Sequence, residues 1–273
     1  MAAVCHHHDV ARSVHLLTLL SVVAVPFIGW FVGDWSGATT LLVYWFENVA
    51  ACVFIAARAL LHRRWSPRRG HYRYDAPDAQ RRGSQGPSFV SGFAVTSLAF
   101  CAAHAVFLGV ILLLLDHTSN SNLAEIDWRS AGLGCAIVLV LIVVDFVVDL
   151  PTLRDWSFRQ IEQTAQLGLG RVAVVHLTLI VGLAGIAVTD APGALFGTFV
   201  VLKSLFMLSG ALPQWEPVAA PRWLSGVMNR VPGVRPGKTF DELWAQDRAD
   251  EAARRDRNEQ AWAGSGRRRP SAR

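Results

Sequence analysis

Six apolar runs, each close to twenty residues long, occupy most of this chain: 14–32, 38–61, 89–115, 130–150, 172–189 and 194–212. A helix rises about 1.5 Å per residue, so about 20 apolar residues cross the ~30 Å hydrocarbon core of a bilayer. Inside lipid, every backbone N–H and C=O must find its partner within the segment, which a helix provides. The chain therefore reads as an all-α, polytopic membrane helix bundle with six transmembrane helices. Composition agrees: 52% of the 273 residues are hydrophobic and only 17% charged, where a soluble domain carries about a quarter charged residues. The third run is long enough to tilt or project. The sixth is interrupted by Lys203.

Basic residues set the orientation. Segment 62–88 holds Arg63, Arg64, Arg68, Arg69, Arg73, Arg81 and Arg82, and segment 151–171 holds Arg154, Arg159 and Arg171. Arg12 precedes the first run, and the tail after the sixth is arginine-rich. The other connections are almost free of basic residues. Positive charge stays on the cytoplasmic side, so both termini are expected in the cytoplasm of an inner (cell) membrane protein. The net charge of +5 then reports topology and gives no reason to expect a nucleic-acid partner. Trp30, Trp35 and Trp128 fall at outer ends of runs and Trp65, Trp156 and Trp215 beyond inner ends, positions tryptophan favours at membrane interfaces.

This organisation gives a cytoplasmic N-terminus over 1–13, a transmembrane domain over 14–212 with an Arg-rich irregular loop at 62–88, and a cytoplasmic tail over 213–273. The tail is expected to be partly helical and partly disordered, a solvated piece starting at Thr239. Glu242 lies three residues on, the capping-box spacing. A short interfacial helix is expected over 152–167. Pro26 is expected to kink the first span. Gly29-x-x-x-Gly33 and Gly193-x-x-x-Gly197 permit close packing within the bundle.

Ionisable residues inside the runs are the candidates for function, because a charge at the bilayer centre is costly and normally faces a partner or a wet cavity. Depth follows from position along each run. Glu47, His104 and Lys203 lie roughly 15 Å from the outer end, Asp145 and His176 roughly 21 Å, and Asp149 and Arg171 roughly 28 Å. Opposite charges thus match in depth. The expected pairs are Glu47–Lys203 with His104 nearby, Asp145–His176, and Asp149–Arg171. The primary polar core is Glu47, Asn48, His104 and Lys203. Ser97, Cys101 and His104 share one face of the third run at i, i+4, i+7 and are expected to point inward.

Other chemistry is not indicated. The cysteines Cys5, Cys52, Cys101 and Cys135 are scattered, without disulfide or metal spacing. No HExxH pattern is present, and no metal or cofactor is expected; Cys5-His6-His7-His8-Asp9 sits on an end expected to be disordered. Gly237-Lys238-Thr239 lacks the preceding glycine of a phosphate-binding loop, where Pro232 stands instead. The first run exceeds a signal-peptide core and is expected to remain as an anchor.

The polar marks carry a resemblance. Tyr44-Trp45-Phe46-Glu47-Asn48 resembles the Tyr-Trp-x-Glu-Asn signature of an uncharacterised prokaryotic membrane-protein family, domain of unknown function 6498. The stretch 100–107 with His104 is similar to that family's histidine-bearing span, and Gly170-Arg171 through His176 to its Arg-x-x-x-x-His span. Val201-Leu202-Lys203 resembles the lysine of its closing helix. The likeness covers about 15–212 and leaves out the tail. The chain departs from it in the third span, where a second aromatic-histidine element is missing. The resemblance implies fold and membrane location, and no activity.

Three functions compete on the sequence. A transporter or channel-like protein accounts for charges at matched depths; with six helices it would call for a homo-oligomer. A structural or assembly protein would use the ion pairs only to fix packing. An intramembrane enzyme would use Glu47 or His104 as acid or base, but lacks a recognisable nucleophile. Transport stands slightly ahead, an enzyme is disfavoured, and membrane lipid is the expected partner.

Overall fold

A computed structural model describes residues 2–77, 88–116, 125–189, 192–209, 217–230 and 237–262, with the side chains of 2–12, 111, 114–116, 175–179, 181–189, 192–196, 199 and 209 outside the description. The described chain is all-α, with no strand. Its helices are α1 (Ala2–Phe31), α2 (Gly37–Trp65), α3 (Arg69–Tyr72), α4 (Phe89–Asp116), α5 (Trp128–Asp149), α6 (Phe158–Thr189), α7 (Pro192–Ser209), α8 (Arg222–Met228) and α9 (Phe240–Glu259). Four stretches among them are long and apolar enough to cross a membrane: Ser13–Phe31, Gly37–Trp65, Phe89–Val110 and Trp128–Asp149. The fifth apolar run lies in α6, and the sixth lies in α7 as far as Ser209.

Local chemistry explains where the helices begin. Ser36 caps α2 by accepting from the Thr39 N–H, and Asp127 caps α5 by accepting from the N–H groups of Arg129 and Ser130. Each cap satisfies donors that the first helical turn leaves free. Between α1 and α2, Asp34 takes a left-handed conformation (φ 51), and the Trp35 N–H reaches back to the Gly29 carbonyl at 3.0 Å. A Cβ at Gly29 or Gly134 would overlap the Trp35 indole. Gly29 therefore serves the fold by admitting a tryptophan, where sequence spacing points to a neighbouring helix. Trp35, half-buried between α1 and α2, packs against the cluster of Val43, Ala50, Val138 and Ile142.

α2 is the centre of the bundle and packs on α1, α4, α5 and α6; α7 packs on α1 and α6. Its buried face includes Val43, Tyr44, Glu47, Asn48, Cys52, Ile55, Arg58 and His62. On α4, Ser97, Cys101 and His104 are all buried, and Trp45 Nε1 donates to the Cys101 carbonyl at 3.0 Å.

Three expected boundaries shift. α1 continues back to Ala2, so the N-terminal segment is helical; the side chains of Cys5 to Asp9 lie outside the described residues. The expected interfacial helix at 152–167 is the first part of α6, which runs unbroken from Phe158 to Thr189. At 32 residues, α6 spans roughly 48 Å, longer than the hydrocarbon core.

The third shift concerns the tail, which docks on the bundle instead of standing solvated. The Thr239–Glu242 capping box starts α9. Arg254, only 3% exposed, donates to Glu162 of α6 and to the Asp75 carbonyl, at 2.7 and 2.8 Å. Asn258 Nδ2 donates to the same carbonyl, and the Phe158 N–H donates to Glu259 at the start of α6. Trp262 stacks on Tyr72. These contacts also order part of the Arg-rich loop around α3. The sequence hides this because α9 is polar almost all round, and its docking relies on buried charge pairs rather than an apolar stripe.

A histidine pair lies beneath this contact. His62 Nε2 donates to the Trp156 carbonyl at 2.9 Å, which leaves its Nδ1 to accept from His71 Nε2 at 2.8 Å. His71 Nδ1 is then buried with no partner among the described residues. Burial above all, then repulsion from His62, Arg63 and Arg68, holds the His71 imidazole down at about 3. The unfolded segment would take up a proton near 6.5, and the folded one resists it. The His71 contribution to stability is therefore complete above about pH 6.5 and shrinks as pH falls from there towards 3. Faster hydrogen exchange is expected in 67–77 at pH 5 than at pH 7.5, after correction for intrinsic rates, with His71→Gln flattening the difference. Identical protection at the two pH values would refute this.

Candidate functional site

Two tiers of charge face one region between α1, α2, α5, α6 and α7. In the first, Lys203 Nζ of α7 donates to Glu47 Oε2 of α2 at 2.7 Å. Both side chains are almost fully enclosed, at 1% and 3% exposure. The same ammonium stands 3.3 Å from the centroid of the Tyr44 ring, so the ring's negative face supplements the carboxylate. Tyr44 and Glu47 lie three apart on α2 and meet the lysine together.

The second tier joins α1, α2 and α5. Arg58 donates from Nε to Asp149 Oδ2 and from Nη2 to Asp145 Oδ2, each at 2.7 Å. Its planar fork thus spans two carboxylates one helical turn apart on α5. His15 sits on their other side, with Nδ1 2.7 Å from Asp145 Oδ1 and Nε2 3.1 Å from Asp149 Oδ1. An imidazole that faces a carboxylate through each nitrogen satisfies both only as imidazolium. Thr18 adds a donor to Asp145 at 3.3 Å. Arg58 and Asp149 are buried, whereas His15 and Asp145 keep 36% and 34% of their side chains exposed. That exposure faces a cavity.

The cavity has a volume of about 380 Å³ and is lined by residues of both tiers, including His15, Thr18, Glu47, Asp145 and Arg171. A second hollow of about 320 Å³ continues along Arg58, Asp149 and Arg171. Arg171 borders both, yet makes no ion pair or hydrogen bond among the described residues.

The expected site residues are therefore redistributed. Glu47 and Lys203 are brought together. His104 is buried on α4 and does not line the cavity, whose described walls come from other helices. Asn48 is buried beside Glu47, and its Nδ2 has no hydrogen-bond partner among the described residues. The Asp149–Arg171 pair gives way to Asp149–Arg58, because Arg58 reaches both aspartates while Arg171 faces the hollow. Asp145 bonds to His15, Arg58 and Thr18. The His176 side chain lies outside the described residues, and with it the expected Asp145–His176 contact.

Sequence reading passed over His15, Thr18 and Arg58, although the depth rule could have found the two charges. Counted from the outer ends of their runs, His15 lies at roughly 26 Å and Arg58 at roughly 30 Å, bracketing Asp149 at roughly 28 Å.

His15, Asp145 and Asp149 offer donor atoms within 4.8 Å of one another. By type they suit zinc. Charge opposes it: Arg58 already neutralises one carboxylate, so one further positive charge closes the balance, and a proton on His15 supplies it. A divalent ion would leave an excess positive charge in a low-dielectric site.

The model of the family of unknown function DUF6498 matches residues 7–224. The chain belongs to this family. No curated protein and no solved structure matches it. The DUF6498 segment contains both charge tiers and Arg171, together with Asp75 and Glu162, and ends before α9, which carries their partners Arg254 and Asn258.

Proposed function

We propose that this DUF6498 chain is a multi-pass protein of the cell (inner) membrane that moves a small solute across the bilayer together with a proton. In this reading α6 and α7 supply the fifth and sixth spans, and both termini are cytoplasmic. The observation that carries it is the cavity where Glu47, His15, Asp145 and Arg171 meet, at depths where charges are retained for ion or proton pathways. His15 between two aspartates is a proton-binding group with access to that cavity. Exposed apolar side chains such as Val95, Leu98, Val106 and Leu133 support lipid as the surrounding partner. Six helices are few for a solute pathway, which favours a homo-oligomer.

The test is proton movement in proteoliposomes that hold a pH-sensitive dye, under gradients of small carboxylates, amines, sugars and inorganic ions. At least one class is expected to drive proton flux above that of protein-free liposomes. His15→Gln is expected to lower it roughly tenfold or more, the scale of losing a positioned proton carrier. A wild-type protein that moves no protons with any class would end this reading.

A structural role is favoured for one part only. Glu47 and Lys203 are enclosed more completely than the second tier, as suits a pair that fixes the register of α2 against α7.

A further inference from the structure

We propose that Arg171 anchors an anion subsite in this cavity, one that takes a small amphipathic monocarboxylate and loads it together with one proton on His15. The proposal rests on the transport reading for its purpose, but its binding step stands apart from any flux.

The charge inventory carries it. The carboxylates around the cavity and its continuation are Glu47, Asp145 and Asp149; the cations are Lys203, Arg58, Arg171 and, when protonated, His15. Glu47 and Lys203 neutralise each other at 2.7 Å. Arg58 and imidazolium His15 neutralise Asp145 and Asp149. Arg171 is left over. Arg171 is half-buried and borders the cavity and its continuation; a guanidinium partly shielded from water favours an anion, and among the described residues no side chain supplies one. With His15 protonated, four cations face three carboxylates and the site is short of one negative charge. With His15 neutral, three face three and the need disappears. Proton and anion therefore favour each other's binding.

The shape of the ligand follows from the walls. A guanidinium offers a planar fork that matches a carboxylate through two parallel N–H···O bonds. Beside Arg171 the cavity is walled by Leu16, Leu19, Val22, Leu141 and Met207, an apolar surface suited to a short hydrocarbon body. About 380 Å³ lies at the low end for ligand pockets. A cationic ligand of the same shape would meet Arg171 head-on.

The titrating group is faced from every neighbouring element: Asp145 and Asp149 from α5, Arg58 from α2, Arg171 from α6, and Thr18 from its own helix. The Lys203 charge on α7 is taken up by Glu47.

The experiment is calorimetric titration of the full chain in nanodiscs of neutral lipid. Pentanoate is compared with pentylammonium, which has the same number of carbons and opposite charge, and with inorganic phosphate. Pentanoate is expected to bind and pentylammonium not to. At alkaline pH, where His15 has lost its proton, close to one proton is expected to be taken up per pentanoate bound in weakly buffered solution, and at neutral pH, where the imidazolium is already present, none. Arg171→Gln is expected to weaken pentanoate roughly tenfold or more, with Arg171→Lys between the two, as loss of a charge-assisted pair implies. Wild type alone decides the sign of the ligand should either variant fail to fold. Equal binding of pentanoate and pentylammonium, binding of phosphate only, or no loss in a folded Arg171→Gln would overturn the anion subsite. Pentanoate binding without proton uptake at alkaline pH would overturn the coupling to His15. Binding with no flux in liposomes would leave the subsite standing and remove the transport reading alone.

Discussion

Lys203→Met is expected to destabilise the bundle by about 3–5 kcal/mol, the range found when one partner of a buried ion pair is removed. The loss comes from what remains. Glu47 would keep its carboxylate at 2% exposure, with its 2.7 Å partner gone and a Tyr44 ring beside it whose negative face gives no compensation. Glu47→Gln combined with Lys203→Met should recover most of the stability, because no uncompensated charge is then buried. Unfolding in mixed micelles of increasing denaturing-detergent fraction would measure both. A double variant as unstable as the single one would show that the pair's own attraction, and not the orphaned charge, matters.

Arg58→Met is expected to cost at least as much, about 3–5 kcal/mol by the same reasoning, since one guanidinium holds two carboxylates on α5. Asp145 could turn towards the cavity, but Asp149 is 5% exposed and would be left with His15 alone. Arg58→Lys should restore only part of the loss: one ammonium cannot reproduce two N–H vectors aimed separately at Asp145 and Asp149. The same unfolding assay decides this, and a lysine variant indistinguishable from wild type would show that charge alone suffices there.

How far the sequence could carry these conclusions depends on what each signal measures. Apolar run length gave helices at every expected run, because in lipid the backbone has few alternatives. Depth along a run drew Glu47 towards Lys203, but depth sets a level and not a direction around the helix axis. At the deepest level Asp149 had Arg58, His15 and Arg171 within a turn of one another, and only packing decides among them. Arg58 escaped notice by lying near the C-terminal end of its run, where an arginine reads as an ordinary boundary charge. The spacing of Glu47, Ala51, Ile55 and Arg58 on one helical face contained the cavity wall, but its meaning depends on what α1, α5 and α6 place opposite. The docking of α9 was the least legible part, since helical patterning detects apolar stripes and this contact is made by Arg254, Asn258 and Glu259.

That contact has a bearing on where the family's architecture ends. Glu162 and Asp75 belong to the segment shared with DUF6498, whereas the guanidinium and amide that satisfy them come from beyond it. A chain cut after the shared segment would keep the apolar contacts of its bundle and lose the counter-charge of Glu162, leaving Tyr74 as that carboxylate's remaining donor. In this protein α9 is thus a built-in counter-ion for the bundle, and the end of the bundle that carries α3 is complete only with its own tail folded back upon it.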